Sequence, residues 1–200
     1  MDLQISVFLL FILFTAGHSL KCYECMGLTG SCADQTASTC PAGSTSCESS
    51  AAVTQVGDIT SKVMAKGCVP VCQSGSLNLG YVRSITSCCR TDLCNSADAP
   101  DPSNQNPNGK KCYTCDEKSC SKTLSCSGDE DRCVSATVNA DGQSVVVKGC
   151  VSKAFCVGTK SIKNSVSISC CEGNLCNGAQ SVSQSFLFLS CSLLSYFLLH

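Results

Sequence analysis

The chain has 200 residues with 21 cysteines and no tryptophan, and its formal net charge is −1. A cysteine share above about 8–10% marks a disulfide scaffold rather than a domain built on an aromatic core. The near-zero charge excludes a nucleic-acid partner held by phosphate neutralisation.

In chain order, the first element is an apolar run from Ile5 to Phe14. It is too short to span a bilayer, which needs about 20 residues. Thr15 to Ser19, rich in small residues, follows it. Residues 1–19 are expected to be a secretory signal peptide cleaved after Ser19, although the usual basic leading segment is missing.

From Leu20 to Asn177 the aromatic side chains are Tyr23, Tyr81, Tyr113 and Phe155 alone. Each large side chain fully buried contributes about 1.5–3 kcal/mol, so four cannot hold this length of chain. The cysteines do repeat. Cys22, Cys25, Cys32, Cys40, Cys47, Cys68, Cys72, Cys88, Cys89 and Cys94 align one by one with Cys112, Cys115, Cys120, Cys126, Cys133, Cys150, Cys156, Cys170, Cys171 and Cys176. Each set opens Lys-Cys-Tyr-x-Cys, carries Lys-Gly-Cys-Val at its sixth cysteine and closes Cys-Cys-x-x-x-Leu-Cys-Asn. Two domains follow, 20–97 and 110–177. Residues 98–109, with three prolines and no apolar periodicity, read as an extended linker between them.

Within the repeats the pattern is β. In the first, Ala51–Val56 and Ile59–Met64 flank a turn at Gly57-Asp58. In the second, Val134–Val138 and Ser144–Lys148 flank a turn containing Asp141-Gly142, which supplies the positive φ of a tight hairpin. Ser165–Ser169 alternates as a further strand, and no stretch holds a helical period. Asp129-Glu130-Asp131 reads as a solvated turn, because the acidic positions of a calcium loop do not follow it. The last element is the apolar run Phe186–Leu199, preceded by a polar spacer and by the small residues Asn177-Gly178-Ala179. This order is expected to direct exchange of the tail, 178–200, for a glycosylphosphatidylinositol (GPI) anchor at Asn177, or at Gly178 or Ala179.

The two repeats resemble the lymphocyte antigen 6/urokinase receptor (LU) family of three-finger proteins, on the ten-cysteine order and on the closings Cys88-Cys89-Arg-Thr-Asp-Leu-Cys94-Asn95 and Cys170-Cys171-Glu-Gly-Asn-Leu-Cys176-Asn177. Spacing alone leaves the pairing open. What the resemblance implies is Cys22–Cys47, Cys25–Cys32, Cys40–Cys68, Cys72–Cys88 and Cys89–Cys94, then Cys112–Cys133, Cys115–Cys120, Cys126–Cys150, Cys156–Cys170 and Cys171–Cys176. The fold it implies is all-β, small and disulfide-rich, two tandem three-finger domains. It gives Asn95 and Asn177 the structural role of tying the chain end to the backbone. Cys191 falls in the tail expected to be removed.

Catalysis has little to work with. His18 and His200 lie in segments expected to be removed, so no Ser–His or Cys–His activation remains. Cys22-x-x-Cys25 and Cys112-x-x-Cys115 have redox or zinc spacing, but a secreted, evenly paired set favours disulfides. No catalytic residue, metal or cofactor is expected. Function is expected to be binding, by loops on a rigid scaffold. The tips would be Gln55–Ile59 and Ser76–Tyr81 in domain one and Asn139–Gln143 and Thr159–Asn164 in domain two, with Asp58, Leu77, Leu79, Tyr81 and Asp141 as contacts. For Leu77, Leu79 and Tyr81 packing between the domains is an equal alternative. The expected protein is a GPI-anchored receptor or adhesion molecule on the outer face of the plasma membrane, binding an extracellular or cell-surface protein. A secreted two-domain inhibitor similar to the gamma-type phospholipase-A2 inhibitors is the alternative.

Overall fold

The computed structural model describes residues 19–28, 30–116, 119–140, 143–157 and 166–178. Residues 1–18 of the expected signal peptide 1–19, Asp141, the expected tip 159–164, Ala179 and the residues beyond it lie outside the described residues.

Domain one contains β1 (Lys21–Gly27), β2 (Thr36–Thr39), β3 (Ser46–Val56), β4 (Ile59–Val69), β5 (Gly75–Asn78) and β6 (Val82–Cys89). Domain two contains β7 (Pro107–Thr114), β8 (Lys122–Ser127), β9 (Arg132–Ala140), β10 (Gln143–Val151) and β11 (Val166–Cys171). A five-residue helix, Lys153–Val157, interrupts the β pattern, too short a stretch for a helical period to register in the sequence.

β7 and β8 form a hairpin of their own. The other strands join in one sheet of nine, in the order β11-β9-β10-β5-β6-β3-β4-β1-β2. The seam between domains is therefore a strand pairing, β10 against β5, at Cys150–Asn78 and Val151–Leu77. One row of directly opposed residues crosses it: Cys171, Cys133, Cys150, Asn78, Arg83, Val53 and Lys62. Because side chains alternate along a strand, rows an even number of positions from this one share its face and odd rows take the other.

The first face carries most of the disulfides; Cys88 and Cys170 stand on odd rows, which puts Cys72–Cys88 and Cys156–Cys170 on the other. Along β3 it buries Cys47, Ser49, Ala51 and Val53, while the intervening residues stay half-buried. Among the described residues ten disulfides are present: Cys22–Cys47, Cys25–Cys32, Cys40–Cys68, Cys72–Cys88, Cys89–Cys94, Cys112–Cys133, Cys115–Cys120, Cys126–Cys150, Cys156–Cys170 and Cys171–Cys176. Apart from Asn78 and Ser46, the largest fully buried side chains are all cysteines. Each native disulfide of a small secreted domain contributes about 2–5 kcal/mol, so the cystines stand where an aromatic core would be.

The closing motif of each domain is a backbone clip. Asp92 and Asn174 accept the N–H groups of Lys21 and Lys111 at 3.0 Å. Leu93 and Leu175, at φ 54° and 58°, donate their N–H groups to the carbonyls of the same two lysines. Asn95 accepts from the Tyr23 N–H at 2.8 Å and donates to the carbonyls of Tyr23 and Glu48. Asn177 repeats this with Tyr113 and Val134.

Residues 98–109 differ from a free linker. They cross the knot face of domain one, burying Ala99 and Pro102. Buried Lys66 reaches Asp98 at 2.7 Å, the Ser96 carbonyl at 2.7 Å and Gln35 at 2.6 Å. Lys62 pairs with Asp101 at 2.5 Å, and this hydrogen-bonded ammonium holds the Asp101 carboxyl below its ordinary range. The far end of the segment opens β7.

Candidate binding surface

The face opposite the knots is apolar towards the fingers. In domain one Val56 and Ile59 stand opposite each other, three positions beyond the Val53–Lys62 row, across a two-residue turn. Gly57, first in that turn, has φ 59°, a left-handed conformation that glycine adopts without steric cost. Val56 and Ile59 are 68% and 74% exposed, and Met26, on the same face at the tip of finger one, is 70% exposed. Leu28, just beyond it, is equally open. In domain two the same face carries the rows Val147–Ala136–Ile168 and Val145–Val138–Val166, with Val145 and Val138 exposed. The knot face at these levels carries Ser135, Thr137, Ser144, Ser167 and Ser169 beside Lys148 and Val146, so domain two's sheet is polar there and apolar on the open side.

The register also fixes where the fingers end. The tip of finger two in domain one lies three positions beyond the shared row. In domain two the same finger runs seven positions beyond Cys133, to Ala140. Both point the same way, staggered by about 13 Å at about 3.3 Å per residue.

Asp58 is exposed at the finger-two turn. Leu77 lies in the seam opposite Val151. Leu79 is half-buried, its N–H bonded to the Val82 carbonyl and its own carbonyl accepting from Thr114 of domain two at 2.6 Å. Tyr81 keeps its side chain 45% exposed. The structure thus sets Leu77 and Leu79 between the domains and turns Tyr81 and Asp58 outward. Met26 and Leu28 escaped the sequence reading; their only signal is an apolar pair inside the short Cys25–Cys32 loop.

The acidic triplet is corrected by the structure. Glu130 is 4% exposed; its carboxylate accepts from the Ser127 N–H at 2.7 Å and the Asn78 amide at 3.4 Å. Asp129 accepts from the Ser76 hydroxyl, and Asp131 from the Lys153 N–H. Two of the three carboxylates reach across to β5, where a sequence reading sees only a charged turn. Two sulfur clusters with metal-like spacing, Cys22-Cys40-Cys68 and Cys112-Cys126-Cys150, consist of disulfide-bonded cysteines without a thiolate to offer. A shallow depression of about 650 Å³ lies at the knot end of domain one, beside Leu20, Pro41 and Arg90, away from the finger tips.

Residues 20–95 and 111–177 each match the family described as snake toxin and toxin-like protein. The chain is 28% identical to the urokinase plasminogen activator surface receptor of Rattus norvegicus over 205 aligned positions, covering 90% of this chain and 62% of that receptor. It therefore spans less than two thirds of that relative. It is 31% identical to lymphocyte antigen 6E of Gallus gallus over 39% of this chain and 62% of that protein. It is 34% identical to cytotoxin 1b of Naja atra over 40% of this chain and 78% of that toxin. The crystal structure of mouse TEX101 aligns with 76% of this chain and 97% of that one, at 19% identity and a TM-score of 0.30. The resemblance to toxin-like and receptor proteins is consistent with a non-enzymatic protein. With both repeats matched, the chain belongs to the snake toxin and toxin-like protein family, within the LU/urokinase-receptor group of three-finger proteins.

Proposed function

We propose that this is a cell-surface binding protein of the receptor or adhesion type, which grips an extracellular protein with its finger tips and the open face of its sheet. The observation that carries the reading is the exposure of Met26, Val56, Ile59, Val138 and Val145 on that one face. Scattered exposed apolar residues are ordinary, but several on one face, on loops held by a rigid scaffold, mark a contact surface. Asp58 and Tyr81, turned outward beside this face, are its polar and aromatic contacts, and Asp141 is assigned the corresponding place in domain two.

The same reading puts the protein on the outer leaflet through a GPI anchor at Asn177, Gly178 or Ala179. The clamp on Tyr113 and Val134 uses only the side chain of Asn177. Its main-chain carbonyl is left for the anchor or for Gly178. Phosphatidylinositol-specific phospholipase C applied to intact cells expressing the full chain is expected to release it into the medium. A protein that stays with the cells, or is secreted with residues beyond Ala179 intact, contradicts the anchor.

A further inference from the structure

We propose that Glu130 is a proton-operated latch between the two domains, closing the seam more tightly in mildly acidic surroundings than at neutral pH. Three parts of the chain converge on this residue. Its carboxylate meets the amide of Asn78, fully buried on β5 of domain one, and the Ser127 N–H of its own domain. Its main-chain carbonyl accepts from Asn108, at the end of the strap that crosses domain one. Around it the seam is closed by Ser152, whose N–H bonds the Ser76 carbonyl at 3.0 Å and whose hydroxyl accepts from the Ser76 N–H at 3.1 Å. A docked seam therefore withholds the Glu130 carboxylate from water, and an undocked one returns it.

The charged groups that face Glu130 are Arg83 on β6, which favours its ionised form, and neighbouring Asp129, which disfavours it. Burial is the largest influence, and it raises the Glu130 carboxyl above the ordinary value of 4.5 despite the bonds from Ser127 and Asn78. An undocked Glu130 is hydrated and keeps the ordinary value. The docked form therefore holds the proton more tightly. Its extra stability is complete below the ordinary value and is lost as pH rises through the raised one. Neutral Glu130 retains a carbonyl oxygen as acceptor, so protonation removes the buried charge without emptying the contacts.

The test is hydrogen exchange on the intact two-domain protein between pH 4.5 and 7.5, each amide corrected for its intrinsic rate. Protection of the Ser76 and Ser152 amides is expected to rise several-fold towards pH 4.5, while the β3–β4 hairpin stays constant. Glu130→Gln is expected to give high protection that no longer varies with pH. Asp129→Asn, which removes the neighbouring titratable group, is expected to keep the dependence. A flat wild-type profile overturns the latch, whether or not the variants fold. So does a slope that survives Glu130→Gln or vanishes with Asp129→Asn.

Discussion

Asn95 and Asn177 show how one side chain substitutes for a stretch of core. Each satisfies a backbone N–H and two carbonyls from strands up to 72 residues away along the chain, with distances of 2.8–2.9 Å. Truncating one leaves main-chain groups unpaired, at about 1–3 kcal/mol for each that stays buried. Asn95→Ala is expected to lower stability by about 3 kcal/mol, read as an earlier urea midpoint with all ten disulfides formed. Asn95→Asp, which keeps the acceptor but sets a carboxylate oxygen against the Tyr23 and Glu48 carbonyls, should lower it at least as far. In the sequence this role is implied only by the family resemblance, carried by the asparagine that closes both repeats. Glu130 was not legible, since its burial depends on Asn78, which lies in the other domain and repeats nowhere.

At the scale of elements, the hairpins follow from the sequence and the strap does not. Alternation in Ala51–Val56 and Val134–Val138 reports a two-sided strand, and Gly57 places the turn. The strap offers only Ala99 and Pro102 for burial, and its polar ties come from Lys62 and Lys66, far upstream. Composition therefore reads it as a tether. The two lysines are not equivalent. Lys66 is buried with three acceptors, whereas Lys62 and Asp101 remain substantially exposed, where ion pairs contribute about 0–1 kcal/mol. Lys66→Met is expected to free 98–109 and speed its cleavage by a nonspecific protease at least several-fold. Lys62→Met is expected to leave the rate within about twofold. Equal effects would mean that the strap is held by something other than Lys66.

Nine strands drawn from both domains share one sheet, beside the separate β7–β8 hairpin, and the two second fingers point the same way with a stagger. The repeat conceals how the halves are joined. Lys-Gly-Cys-Val occurs in both, yet a Cβ on Gly67 would meet nothing within 4 Å, while one on Gly149 would lie 2.1 Å from the Asn78 carbonyl oxygen. The same glycine is thus optional in one domain and makes room for the seam in the other, which no comparison of the two repeats can reveal. Because the seam is a strand pairing with buried polar contacts, the domains present their fingers as a fixed pair. The open, finger-tip face is the surface proposed to bind. The direct measurement is flow cytometry of the secreted two-domain protein on partner-bearing cells. Wild type is compared with the Val56→Ser/Ile59→Ser double variant and with Val71→Ser, an equally exposed valine next to Cys72, away from the finger tips. At least a tenfold loss of affinity is expected for the tip variant and none for Val71→Ser. Undiminished binding by a correctly paired tip variant, or an equal loss at Val71, would place the binding elsewhere.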